Sequence, residues 1–159
     1  MNKAYLLLGS NIGNCKQQLQ SSIKHIGKMA GKVIRSSGLY ATAAWGDTNQ
    51  PDFLNQVIVI ETTLTAAETL QSILAIEKKM GRVRTVKNAP RIIDIDILFF
   101  NKEIIRLKDL IVPHPEIQNR RFVLIPLNEI SSQFKHPVFN KSIYQLLSEC
   151  PDPLDVKKI

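Results

Sequence analysis

The sequence predicts an α+β fold in one domain covering residues 1–159. Three observations carry that expectation. Apolar, β-branched stretches alternate with amphipathic stretches in the order strand, helix, strand, strand, helix, strand, which is the βαββαβ order of a ferredoxin-like core. Residues 101–159 then continue with two more helical stretches, so helices are added after the core. The length of 159 residues, with 44% hydrophobic and 22% charged residues and no repeat or low-complexity tract, suits a single domain with a real core.

Residues 3–8 read as a buried first strand, followed by the turn Gly9-Ser10-Asn11-Ile12-Gly13-Asn14. The turn lacks the Gly-Lys-Ser/Thr ending of a P-loop and is read as structural. Asn14 caps a first helix, in which Leu19, Ile23 and Ile26 recur at helical spacing through Met29. Residues 32–42 form a second strand, with Val33, Ser37, Leu39 and Ala41 on one face. Residues 43–52 are a loop with the only tryptophan, Trp45, which either covers a ligand or folds back onto the core. The third strand runs from Phe53 through Thr62 and puts Phe53 and Asn55 on one face. Thr65 and Glu68 form a capping box for a helix over residues 65–80, with Leu70, Ile73, Leu74 and Ile76 as its apolar stripe and Gly81 as its stop.

Residues 92–100 are apolar apart from Asp94 and Asp96, which a strand would direct to one face while Ile95 and Ile97 face the other. Two carboxylates with Cα atoms roughly 6.5–7 Å apart repel unless a cation lies between them. Hard oxygen donors without His or Cys suit Mg²⁺, which commonly shares its shell with phosphates. Just upstream stand Arg82, Arg84, Lys87 and Arg91, able to clamp those phosphates, and Pro90 fixes the backbone before Arg91. Further on, Asn101-Lys102-Glu103 is a turn into a short extended piece at Ile104 and Ile105. Pro113 and Pro115 flank His114, whose ring either projects or bonds a carbonyl. A helix follows from about Asn119 to Ile130, burying Phe122, Leu124, Ile125, Leu127 and Ile130, with Pro126 kinking it or lying in its first turn. The tail carries a short helix at residues 142–149, with Ile143, Leu146 and Leu147 inward and no evident chemistry.

The run Lys87-Asn88-Ala89-Pro90-Arg91-Ile92-Ile93-Asp94-Ile95-Asp96-Ile97-Leu98 closely resembles the signature of the 6-hydroxymethyl-7,8-dihydropterin pyrophosphokinase family of folate biosynthesis. Gln50-Pro51-Asp52-Phe53-Leu54-Asn55, Leu8-Gly9-Ser10-Asn11, Pro113-His114-Pro115 and Arg120-Arg121-Phe122 resemble further family segments, so the likeness covers roughly residues 4–130. It implies a three-layer α-β-α domain that transfers pyrophosphate from ATP to the hydroxymethyl group of the dihydropterin and releases AMP. It implies that Asp94 and Asp96 hold two Mg²⁺ ions, that Arg82 and Arg91 stabilise the transferring phosphates, and that Arg84, Lys87, His114 and Arg120 hold ATP. Thr42, Trp45, Phe53, Asn55 and Phe122 would line the pterin site, Phe53 and Phe122 as stacking walls and Asn55 as the group that reads the ring edge. Plain core packing is the other reading of Phe122. Thr85 and Asn88 depart from relatives that carry Lys and Trp, Ala43 and Ala44 replace prolines, and the basic loop is one residue shorter than in some members.

Lys and Arg number 21 against 14 Asp and Glu, giving a formal charge of +7, so an anionic partner is expected. A basic RNA-binding module is the main competitor. It lacks the aromatic-rich strand pattern, and paired carboxylates repel a phosphate backbone, so no nucleic acid is expected. A non-catalytic regulatory domain leaves the cations beside the carboxylates unexplained. Cys15 and Cys150 stand far apart with no spaced partner and read as inert thiols. No secretory or membrane-spanning run is present, and the expectation is a cytoplasmic monomer.

Overall fold

The computed structural model describes residues 1–43, 51–82 and 91–159. Strand β1 (Asn2–Ser10) lies at the centre of an antiparallel sheet. After helix α1 (Cys15–Met29) the chain forms β2 (Lys32–Ser36), β3 (Tyr40–Thr42) and β4 (Phe53–Thr62). Helix α2 (Ala66–Lys79) leads to β5 (Asp94–Phe100). Strand β1 is flanked by β5 and β4, while β2 and β3 both pair along the far side of β4. A separate two-stranded sheet joins β6 (Ile105–Arg106) to β7 (Ile111–Val112). A 3-10 turn at Ile117–Asn119, α3 (Arg121–Ser131) and α4 (Ile143–Glu149) follow, and β8 (Val156–Lys158) closes the sheet by pairing with β3.

The period-2 pattern of the strands divides the core into two halves. Leu6, Leu8, Ile58, Ile60, Ile95 and Ile97 pack against Leu19 and Ile26 of α1 and Ile73 and Ile76 of α2. Tyr5, Leu7, Val57 and Val59 point to the opposite face and meet Val123, Leu124 and Leu127 of α3 and Ile143 of α4. The sheet is therefore the middle of three layers. Between Tyr5 and Leu6 the register slips: Tyr5 faces Phe99 and Leu6 faces Ile97. The extra residue, Leu98, lets Leu98 and Phe99 both pack toward α3.

Local chemistry sets several boundaries where the sequence predicts them. Asn14 accepts from the Gln17 N–H at the start of α1. At α2 the Thr65 hydroxyl accepts from the Glu68 N–H (3.1 Å) and the Glu68 carboxylate from the Thr65 N–H (2.9 Å). Gly81 ends that helix at φ 90°, a conformation that favours glycine.

Four expectations need correction. The second strand is two strands: the Ser37 N–H still donates to Val57 O, but the return bond from Val57 N goes to the Ser37 hydroxyl, and the Ser37 carbonyl accepts the Gln56 side-chain amide instead. As a result Tyr40 and Thr42, not Ala41, are the buried residues of β3. Leu74 is exposed, and the inward face of α2 carries Thr69 and Glu77 beside Ile73 and Ile76. In α3, Val123 and Pro126 are buried while Phe122, Ile125 and Ile130 are only partly so, and Pro126 lies beyond the first turn. Finally, the tail is not merely a helix and its end, since β8 extends the sheet.

Candidate active site

The paired registers draw a row across one end of the sheet. Asp94 of β5 faces Gly9 of β1, Gly9 faces Asn55 of β4, and Asn55 faces Tyr40 of β3. Residues directly opposite in antiparallel strands share a face, so all four point toward the α3 side, as do Asp96 and Phe53 two residues along their strands. With neighbouring strands about 4.8 Å apart, the Asp94 and Asn55 backbones are separated by about 10 Å with glycine between them. A Cβ at Gly9 would meet the Asn55 Oδ1 at 3.0 Å and the Phe53 ring at 3.6 Å. The bare backbone is what lets those two side chains lie over it. Asn55 is 3% exposed, and no acceptor takes its Nδ2–H among the described residues. A buried amide left this way is costly unless a ligand supplies the acceptor.

The Asp94 end is dense in charge. Arg82 Nη1 donates to Asp94 Oδ1 (2.5 Å) and to Glu77 Oε2 (2.6 Å), and Arg91 Nη1 donates to Asp94 Oδ2 (2.9 Å). Burial works against the Arg82 charge, but Asp94 and Glu77 outweigh it and hold its pKa above the ordinary value. Asp96 has no such partner at hydrogen-bond distance among the described residues. Its pKa is pushed up to about 7, first by burial and then by the negative Asp94 and Glu77, with Arg82 and Arg91 opposing. Burial above all, with Asp94 and Glu77 nearby, disfavours the charged form of Asp96 unless a cation balances it, and hard carboxylate oxygens so placed fit a divalent cation that completes its shell with water and phosphate. Among the described residues no group of three or more His, Cys, Asp or Glu side chains is arranged to hold a metal by itself.

Beside β5 opens a cleft of about 520 Å³, lined by Leu70, Gln71, Asp96, Lys108, Leu110 and His114 among others. His114 is anchored by its N–H to Leu98 O (2.9 Å), and its Nδ1 accepts from the Glu116 N–H (3.1 Å). The proton of the neutral ring is then on Nε2, which leaves a donor for the cleft. Burial first, then the positive Arg120, holds the His114 pKa below its ordinary value, against the pull of Glu116 and Asp94. Arg120 caps α3 and stands 5.8 Å from the centre of the Phe122 ring. Phe122 itself packs at the edge of the α3-side core. Thr42 is buried at the end of β3, and its hydroxyl donates to Asp155 O. Trp45, Arg84 and Lys87 lie outside the described residues.

Glu77, which the sequence reading passed over, and Asn11, which it named only as part of a turn, hold this arrangement. Glu77, 2% exposed, accepts from the backbone N–H of Ile95 (2.8 Å) as well as from Arg82, so it fixes the edge of β5 and an arginine at once. Asn11 accepts from Arg91 N (2.7 Å) and donates to Pro51 O (3.2 Å), and its own N–H goes to Arg91 O. It thus binds together the segments beginning at residues 51 and 91. Only the asparagine in a Gly-Ser-Asn turn hinted at this, through its habit of bonding nearby backbone.

The fold and the site define an α+β domain that gathers arginines and paired carboxylates at one sheet end, next to an open cleft. The model of the 7,8-dihydro-6-hydroxymethylpterin-pyrophosphokinase (HPPK) family matches residues 5–132, and the chain belongs to that family. It is 39% identical over 143 residues to the 2-amino-4-hydroxy-6-hydroxymethyldihydropteridine pyrophosphokinase of Synechocystis sp., covering 89% of this chain and 73% of that protein. It is 38% identical to the Aquifex aeolicus protein of the same name, covering 94% and 92%. A crystal structure of Plasmodium falciparum HPPK-DHPS superposes with a TM-score of 0.78 at 21% identity, covering 93% of this chain and 43% of the larger one, which bears on the fold.

Proposed function

We propose that this chain transfers the pyrophosphoryl group of ATP to the hydroxymethyl oxygen of 6-hydroxymethyl-7,8-dihydropterin. The hydroxyl oxygen attacks the β-phosphorus, the bond from that phosphorus to the α-phosphate oxygen breaks, and AMP leaves as the pterin diphosphate forms. The observation that carries the reading is the row Asp94–Gly9–Asn55: a buried amide whose Nδ2–H meets no acceptor among the described residues, and an acidic pair, on one face with a glycine between.

In this reading Asn55 bonds the polar edge of the pterin, with Phe53 and Phe122 as apolar walls and Thr42 and Trp45 beside them. Asp94 and Asp96 would hold Mg²⁺, two ions in the full complex, which supply charge neutralisation at the phosphates. Arg82 and Arg91 transfer hydrogen bonds from Asp94 to the moving phosphates, while His114 donates through Nε2. Arg120, Arg84 and Lys87 hold the remaining nucleotide charge, and the cleft beside β5 receives the nucleoside. Among the described residues no side chain stands out as a general base. The sheet order, with β1 between β5 and β4 and with β2 and β3 outside β4, supports reading the core as ferredoxin-like. A single domain, a monomer and a cytoplasmic site of action complete the reading. No helix among the described residues is long and apolar enough to cross a membrane.

Asn55→Ala tests the assignment of the pterin edge. A lost specificity bond in a site built to make it costs a factor of about 100 or more in kcat/KM for the pterin, with the KM for ATP changed by less than about threefold. Equal losses toward both substrates would overturn it.

A further inference from the structure

Strand β3 ends at Thr42, in the proposed pterin site, yet it is only three residues long and cannot hold its own position. Its supports come from β4, β8 and α3. Thr42 lies between Phe53 of β4 and Val156 of β8, and Tyr40 lies between Asn55 and Lys158. The Thr42 hydroxyl donates to Asp155 O (3.1 Å), and the Ile159 N–H to Leu39 O (2.9 Å). From the other layer, Glu129 of α3 accepts the Gly38 N–H with both carboxylate oxygens (3.2 Å each), accepts the Tyr40 hydroxyl, and stands 3.5 Å from Lys158 Nζ. A Cβ at Gly38 would come within 2.7 Å of the Lys158 Cε, so any larger residue there displaces the end of that lysine.

Glu129 is seven residues after Phe122, two turns along the same face of α3. One carboxylate therefore ties the helix that carries one proposed pterin wall to the strand that borders the other. The consequence for charge is visible at both partners. The Tyr40 pKa is pushed up to about 12 by burial and by Glu129; at Glu129 burial is the largest single effect and pushes upward, but Tyr40, Gly38 and Lys158 together outweigh it and hold the carboxylate below its ordinary value.

We propose that Glu129 is a positioning residue for the pterin subsite, acting through Gly38 and Tyr40, with the tail strand β8 as the outer support of the same element. This rests on the function proposed above. Glu129 touches neither substrate; it sets the gap between the β3–β4 wall and Phe122. A slot for a flat ring is sensitive to that gap, because widening by about 0.5–1 Å already forfeits a quarter to a half of the contact energy.

The test compares Glu129→Ala, Glu129→Gln and a chain lacking residues 156–159 in steady-state assays with Mg²⁺. Glu129→Ala and the truncation are expected to raise the KM for the pterin about fivefold or more, the share of a partly exposed charged bond that reaches the slot, with kcat and the KM for ATP within about twofold. Glu129→Gln keeps an oxygen for Gly38 and Tyr40 and is expected to restore most of the loss. A Glu129→Ala protein with lowered Tm but unchanged pterin KM would show a merely structural tie and overturn the inference, as would equal rises in both KM values. Amide hydrogen exchange at Gly38, Tyr40 and Thr42 separates this claim from the one it rests on. If the wild-type protein releases no AMP with the pterin, the proposed function fails. Unchanged exchange in Glu129→Ala would then overturn the positional claim too, and faster exchange confined to those amides would uphold it.

Discussion

Glu77→Ala asks how much of the candidate site depends on one buried carboxylate. In the folded protein Glu77 is 2% exposed and accepts from Arg82 Nη1 at 2.6 Å and from Ile95 N at 2.8 Å. Truncation leaves the Ile95 N–H on the edge of β5 without a partner, a cost of about 1–3 kcal/mol. It also removes one of the two carboxylates on Arg82; since Asp94 remains, this costs less than the roughly 3–5 kcal/mol of an ion left alone in the interior. Together the loss is about 3 kcal/mol. For 159 residues, at about 2.1 cal/mol/K of unfolding entropy per residue, that lowers Tm by about 9 °C. Glu77→Gln keeps an oxygen for Ile95 and the volume of the side chain, so about half of that fall is expected. Thermal unfolding followed by circular dichroism, with the KM for ATP measured on the same samples, reads both consequences. A Tm within about 2 °C of wild type for Glu77→Ala, or equal losses for Ala and Gln, would refute the reasoning.

Asp96→Ala removes the buried carboxylate of the acidic pair. Turnover is expected to fall by roughly a factor of 100 or more while the Kd for ATP changes by less than about tenfold, as stopped-assay rates and equilibrium binding would report; near-normal turnover would contradict the metal assignment. His136 supplies a pH dependence remote from the chemistry. Burial holds its pKa down to about 4 from an ordinary 6.5, and its Nδ1 accepts from Val138 N and Phe139 N. The unfolded chain binds a proton that the folded chain refuses, so this contribution to stability is full above pH 6.5 and is lost as pH falls toward 4. Urea unfolding between pH 7 and 4 should show that slope, and His136→Asn, which keeps an acceptor near Nδ1, should flatten it.

How much of this was legible in the sequence depended on where the cause of each feature lies. Strand β4 and helix α2 follow from residues within themselves, the unbroken apolar run after Phe53 and the Thr65–Glu68 box, so both were readable locally. The contacts of Arg82 and Arg91 with Asp94 follow from a crowd of charges packed into a short stretch. Glu77 was not readable, because a glutamate in the last turns of a helix ordinarily faces water. Its burial comes from the edge of β5, eighteen residues later. The break between β2 and β3 depends on the Ser37 hydroxyl answering a backbone group twenty residues away. Strand β8 carries two lysines in three residues and has no period of its own; only the open edge of β3 makes it a strand. Asn11 stood in view within its turn, but its partners lie 40 and 80 residues distant.

The central claim is tested most directly by the product formed from ATP. With Mg²⁺ and the purified chain, the account predicts AMP in amounts equal to the pterin diphosphate when 6-hydroxymethyl-7,8-dihydropterin is present, and none when it is omitted. Release of ADP, or AMP formed equally without the pterin, would contradict it.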